Sequence, residues 1–109
     1  MSAPWPPPPD LDSLKELFAN ADVEGLIADE CPFDEYDPEA KHFYEATIGS
    51  NSSKFAVEQT LPLLEELWIK QFMLNEAQVA QRRPALKSLA EQIARFFGPG
   101  ANPATRERQ

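Results

Sequence analysis

One cysteine, one histidine and four glycines among 109 residues exclude several chemistries at the outset. With Cys31 alone, no intrachain disulfide can form, and a single thiol fits a reducing cytoplasm. His42 is the only histidine, so Glu39-Ala-Lys-His42, which has the Glu-x-x-His spacing of di-iron bundles, has no second motif to complete such a centre within one chain. No glycine-rich phosphate loop, no Gly-x-Ser-x-Gly and no Ser-x-x-Lys occurs, so the usual scaffolds for phosphate binding and serine nucleophiles are missing. No apolar run approaches the eighteen or so residues of a membrane span. No segment alternates apolar and polar residues as a half-buried strand does.

Positive charge is scarce in the first half. Residues 1–49 hold twelve acidic and two basic residues, Lys15 and Lys41, for a net of −10. Residues 50–109 carry +2, and the chain as a whole −8. Between Asp22 and Glu39 stand eight carboxylates and no lysine or arginine. Such a surface repels nucleic acid and anionic lipid head groups, so partners of either kind are not expected. It suits a basic protein surface or a divalent cation. The 42% apolar share, with eleven aromatics, supplies enough core for a folded domain.

The apolar residues that are present recur with helical spacing. Asp10 or Asp12 can cap a first helix over about 13–21, with Leu11, Leu14, Leu17, Phe18 and Ala21 on one face. Asp37-Pro38-Glu39 reads as a helix start, with Asp37 as cap and Ala40, Phe43, Tyr44, Thr47 and Ile48 as the buried stripe. Ser52 or Ser53 can cap a third helix. Its stripe of Leu61, Leu64, Leu67, Trp68 and Phe72 is widened by Leu63, Ile69, Met73 and Leu74, a breadth that predicts the central, most buried helix. Pro62 and Pro84 each either kink a helix or begin a new one. Leu86, Leu89, Ala90, Ile93, Phe96 and Phe97 form the cleanest amphipathic stripe, ended by Gly98-Pro99-Gly100. The reading is all-α: one bundle of four to five helices over residues 11–97, behind a proline-rich leader (1–10) and ahead of a flexible tail (98–109). The leader lacks the basic segment and apolar run of a secretion signal, and Pro6 to Pro9 fit a short polyproline rod.

Two patterns bear on function. From Asn20, the order Asn20, Asp22, Glu24, Gly25 and Ile27 matches the early positions of an EF-hand loop. Cys31 occupies the place of the bidentate glutamate, and Pro32 stands where the exiting helix should start. A degenerate cation loop over 20–31, with Asn20, Asp22 and Glu24 as ligands, is the alternative reading. The other pattern is Phe33-Asp34-Glu35-Tyr36, in which two aromatics sit among carboxylates: either as interface anchors ringed by charge, or tucked under the loop with Asp37 merely capping the next helix. Arg82-Arg83 is the chain's one basic doublet, able to close on the acidic loop or to stay solvated.

Gly25-Leu26-Ile27 followed by Asp34-Glu35-Tyr36-Asp37 resembles a pattern in small bacterial proteins of unknown function, the YugE-like family, over about residues 17–47. Where that family has Trp-Asp-Pro before the glycine, this chain has Asn20-Ala21-Asp22-Val23-Glu24. The resemblance implies a small all-α fold and assigns no activity. The residues together predict a cytoplasmic, non-catalytic protein-binding or regulatory module of the immunity or adaptor kind. It would need no cofactor, and its acidic loop over 22–39 would meet a basic partner.

Overall fold

The computed structural model describes residues 10–32, 34–50 and 52–99. The leader before Asp10, the tail beyond Pro99 and Phe33 lie outside the described residues, so the readings placed on them have no structural counterpart here.

Helix α1 spans Leu11–Ala21, starting two residues earlier than expected, with Asp10 rather than Asp12 as its cap: the Asp10 carboxylate accepts from Ser13 N–H at 2.9 Å. It ends on Asp22, whose left-handed backbone (φ 44°) turns its own N–H back to the Phe18 carbonyl. Helix α2 spans Asp37–Thr47. Tyr36, rather than Asp37, is its N-cap residue, and no side chain caps it; Pro38, preset to helical φ, fixes the first turn instead. A short 3₁₀ turn, Ser52–Phe55, occupies the position assigned to a serine cap, and α3 runs from Val57 to Phe72 behind Ala56. Helix α4 spans Glu76–Phe97 and opens on a capping box, in which Asn75 and Gln78 each bond the other's backbone N–H at 2.9 Å.

Pro62 and Pro84 both lie inside continuous helices. A proline frees the carbonyl four residues earlier, here Glu58 and Ala80. Both of those residues are exposed, as are the prolines, so water can satisfy what the ring leaves unbonded.

The four helices form one all-α bundle, with no strand among the described residues. Its core joins Leu14, Leu17 and Phe18 of α1 and Ala40 and Phe43 of α2 to Leu64 and Trp68 of α3 and the whole predicted stripe of α4. Burying each large aliphatic or aromatic side chain stabilises by roughly 1.5–3 kcal/mol, so α4, with Leu86, Leu89, Ile93, Phe96 and Phe97 covered, anchors the bundle. This corrects the expectation that α3 is the most buried helix. Only Thr60, Leu64 and Trp68 of α3 are fully buried, while Ile69 is 43% exposed and Met73, past its end, 89%. Ile48 is likewise exposed rather than part of the α2 stripe. The apolar residues at the margin of a broad stripe have nothing above them to cover them.

An aromatic chain crosses the core. Phe18 lies 5.9 Å from both Phe43 and Trp68, and Tyr36 stacks on Trp68 at 6.3 Å. Phe55 links Phe43 to Phe97. Gly98 closes α4 where a β-carbon would meet the Ala94 carbonyl oxygen at 2.7 Å and that of Phe55 at 3.0 Å, so glycine is needed there for close backbone approach.

Candidate functional site

The acidic segment between α1 and α2 is a folded loop of successive turns. Gly25 N–H bonds the Asp22 carbonyl, Asp29 N–H that of Gly25, Cys31 N–H that of Leu26, and Glu35 N–H that of Pro32. Gly25 takes φ 73°, the left-handed region that glycine enters without steric cost. Glu30, with φ 70°, takes the same region without that advantage.

Three side chains tie this loop to the bundle. The Asp22 carboxylate accepts from Ile27 N–H at 3.0 Å on Oδ1 and from Ala28 N–H at 2.9 Å on Oδ2. The Tyr36 hydroxyl donates to Asp22 Oδ1 at 2.7 Å and accepts from Glu24 N–H at 2.9 Å. Glu24 Oε2 accepts from the Trp68 indole N–H at 2.9 Å and from Arg82 Nε at 2.6 Å, with the glutamate side chain 11% exposed. Arg82 also donates to the Gln78 carbonyl at 3.0 Å. The loop is thereby linked to α3 and α4 through one carboxylate, and to its own far end through another.

These contacts shift the groups involved. Burial would raise the Asp22 carboxyl, but the Tyr36 hydroxyl and the N–H groups of Ile27, Ala28 and Leu26 outweigh it and hold it below the usual carboxylate range. Burial and the adjacent Asp22 carboxylate push the Tyr36 hydroxyl up, so it stays a proton donor at any physiological pH. The Glu24 carboxylate raises Arg82 still further.

Several residues singled out by sequence have structural positions of their own. Tyr36 is 1% exposed and stands under the loop on Trp68, so its ring is not an exposed anchor in this conformation. Asp34 and Glu35 are exposed, as are Asp29 and Glu30. Asp22 and Glu24 are occupied as described. Asn20 does not join them: it lines a shallow recess with Leu17, Ala21, Ser88, Gln92 and Phe96, between α1 and α4. Among the described residues no group of three or more His, Cys, Asp or Glu side chains is placed to hold a metal ion. His42 is exposed on the rim of an α2–α3 groove of about 330 Å³ floored by Phe43, Leu63 and Leu67, while Glu39, three residues earlier, is buried. Arg82 does close on the acidic loop, and Arg83 pairs with Glu65 of α3. Sequence reasoning missed Trp68 and Asp22 as polar partners. Trp68 is separated from Glu24 by 44 positions, and no local spacing announces such a pair.

No family model matches the chain, and neither the curated proteins nor the solved structures include one that it matches.

Proposed function

We propose that the chain is a non-catalytic protein-binding or regulatory module of the immunity or adaptor kind, whose acidic loop docks on a basic surface of a partner protein. The observation that carries this reading is a division of labour among the acids. Asp22 bonds the loop's own N–H groups and Glu24 bonds Trp68 and Arg82, whereas Asp29, Glu30, Asp34 and Glu35 are exposed on the loop so fixed. Arg82 is taken up by Glu24, and Lys15 by Asp37 at 3.6 Å, so these two nearby cations leave the four outer carboxylates unneutralised. A fixed anionic surface speeds encounter with a basic partner and loses little freedom on docking.

The shifted groups on the loop, Asp22 and Tyr36, owe their shifts to burial and to contacts that hold the fold, which supports a binding role over catalysis. Action in the cytoplasm is supported by the lone thiol of Cys31. Among the described residues no helix is long and apolar enough to cross a membrane.

The test neutralises the loop's outer face. The immobilised wild-type chain and the D29N/E30Q/D34N/E35Q variant, matched for melting temperature, are used to capture proteins at several salt concentrations. The expected result is a basic protein held by the wild type, released by salt and lost in the variant. Capture of the same proteins by both chains, or of none by either, would overturn the reading.

A further inference from the structure

One buried polar group has no role in the contacts above. Glu39, in the first turn of α2, is 8% exposed, and its Oε2 has no hydrogen-bond partner. A bare carboxylate oxygen out of water costs free energy that a neutral carboxyl largely avoids. The first turn of a helix favours negative charge, and Glu39's own backbone N–H does the same. Against these stand burial and two further carboxylates. The charged groups acting on Glu39 are Glu35 from the loop, Glu24 from the α1 side, and His42 one turn along α2. Glu24 is itself engaged by Arg82 of α4 and Trp68 of α3. Burial dominates, Glu35 and Glu24 add to it, and the Glu39 carboxyl lies above the usual glutamate range despite His42.

We propose that Glu39 is a proton-operated latch for the acidic loop: with its carboxyl neutral the loop closes over the start of α2, and on ionisation the side chain leaves for water and the loop loosens. The geometry makes the coupling direct. Glu39 lies three residues after Tyr36, whose hydroxyl joins Asp22 to Glu24 N–H, so a shift of the first turn of α2 pulls on both ends of the loop. The latch acts whether or not a basic protein docks on the loop. The sign follows from the upward displacement: the native state holds a proton that the unfolded chain has already lost. The latch is therefore fully closed below the ordinary glutamate range and opens as pH rises through the displaced value.

The experiment uses the full chain, labelled with ¹³C and ¹⁵N. The Glu39 carboxyl carbon is titrated, and protection factors of the Ile27 and Ala28 amides, which bond Asp22, are measured from about pH 5 to about pH 8. In the wild type the carbon should titrate above the ordinary glutamate range, with protection lost around the same midpoint. In E39Q, which carries the uncharged shape, protection should not change with pH. Titration of Glu39 in the ordinary range, pH-independent protection in the wild type, or an equal loss in E39Q would overturn the proposal. If E39Q fails to fold, the coincidence of the two wild-type midpoints decides.

Discussion

Replacing Tyr36 by phenylalanine isolates the polar tie that closes the acidic loop. The ring keeps its stack on Trp68 at 6.3 Å, so little apolar burial is lost. What disappears is an O–H donated to a carboxylate at 2.7 Å and the acceptor for Glu24 N–H at 2.9 Å. A hydrogen bond to a charged group contributes about 1.5–3 kcal/mol, and a donor left without an acceptor in a partly buried place adds to the loss. The expected destabilisation is therefore about 2–3 kcal/mol, seen in urea unfolding as a lower midpoint with an unchanged slope. In a domain of this size that corresponds to a melting temperature lower by about 10 °C.

Pairing the substitution with Asp22→Ala gives a cycle, and an interaction energy of about 1 kcal/mol or more is expected. The pH dependence supplies a second check. Asp22 is held below its ordinary value, so its contribution is present above that value and is lost as pH falls through the lowered one. In Y36F the acid limb of the stability profile should be shallower. A loss under about 0.5 kcal/mol, with an unaltered acid limb, would refute the assignment of Tyr36 as the loop's closing bond.

Arg82→Ala should cost about 1–2 kcal/mol by thermal melt, because Glu24, with its side chain 11% exposed, keeps the Trp68 indole but loses its guanidinium partner. Arg82→Lys should recover only part of this, since the Nε contact and the bond to the Gln78 carbonyl use two different guanidinium donors. Met73→Gly should stabilise by about 0.5–1 kcal/mol in urea unfolding. Met73 ends α3 with φ 54° and an 89% exposed side chain, so little packing is lost and the left-handed cost is relieved. Pro84→Ala should stabilise by about 1 kcal/mol or more, since an exposed position in the middle of α4 regains the bond to the Ala80 carbonyl; calorimetry would register it as a higher melting temperature.

The stripe from Leu86 to Phe97 was legible because burial on one helix face imposes a spacing that a single segment carries in full. The same holds for Leu14, Leu17 and Phe18, and for Asp10, whose capping bond spans three residues. Which helix is most covered was not legible from breadth, because exposure at Ile69 and Met73 depends on what the other helices leave open. The prolines were undecided because a proline in a helix interior is tolerated when the carbonyl it frees faces water, and facing is a property of the assembled bundle.

At the site, the sequence exposed the cluster of acids but not their division. Asp22 and Glu24 differ from Asp34 and Glu35 only in what surrounds them after folding: backbone N–H groups and Tyr36 for the first, Trp68 and Arg82 for the second, and solvent for the others. A pair such as Glu24 and Arg82, 58 positions apart, obeys no periodicity. The basic doublet was the one hint, and it pointed the right way for Arg82.

The central claim is that the segment from Asp22 to Tyr36 is a fixed part of the fold rather than a loose acidic linker. Backbone ¹⁵N relaxation of the full chain tests it most directly. Measured at a pH below the Glu39 midpoint, order parameters for Leu26, Ile27, Ala28 and Cys31 should lie near the values of α1 and α4, about 0.8 or above; values below about 0.6 across the segment would contradict a fixed loop.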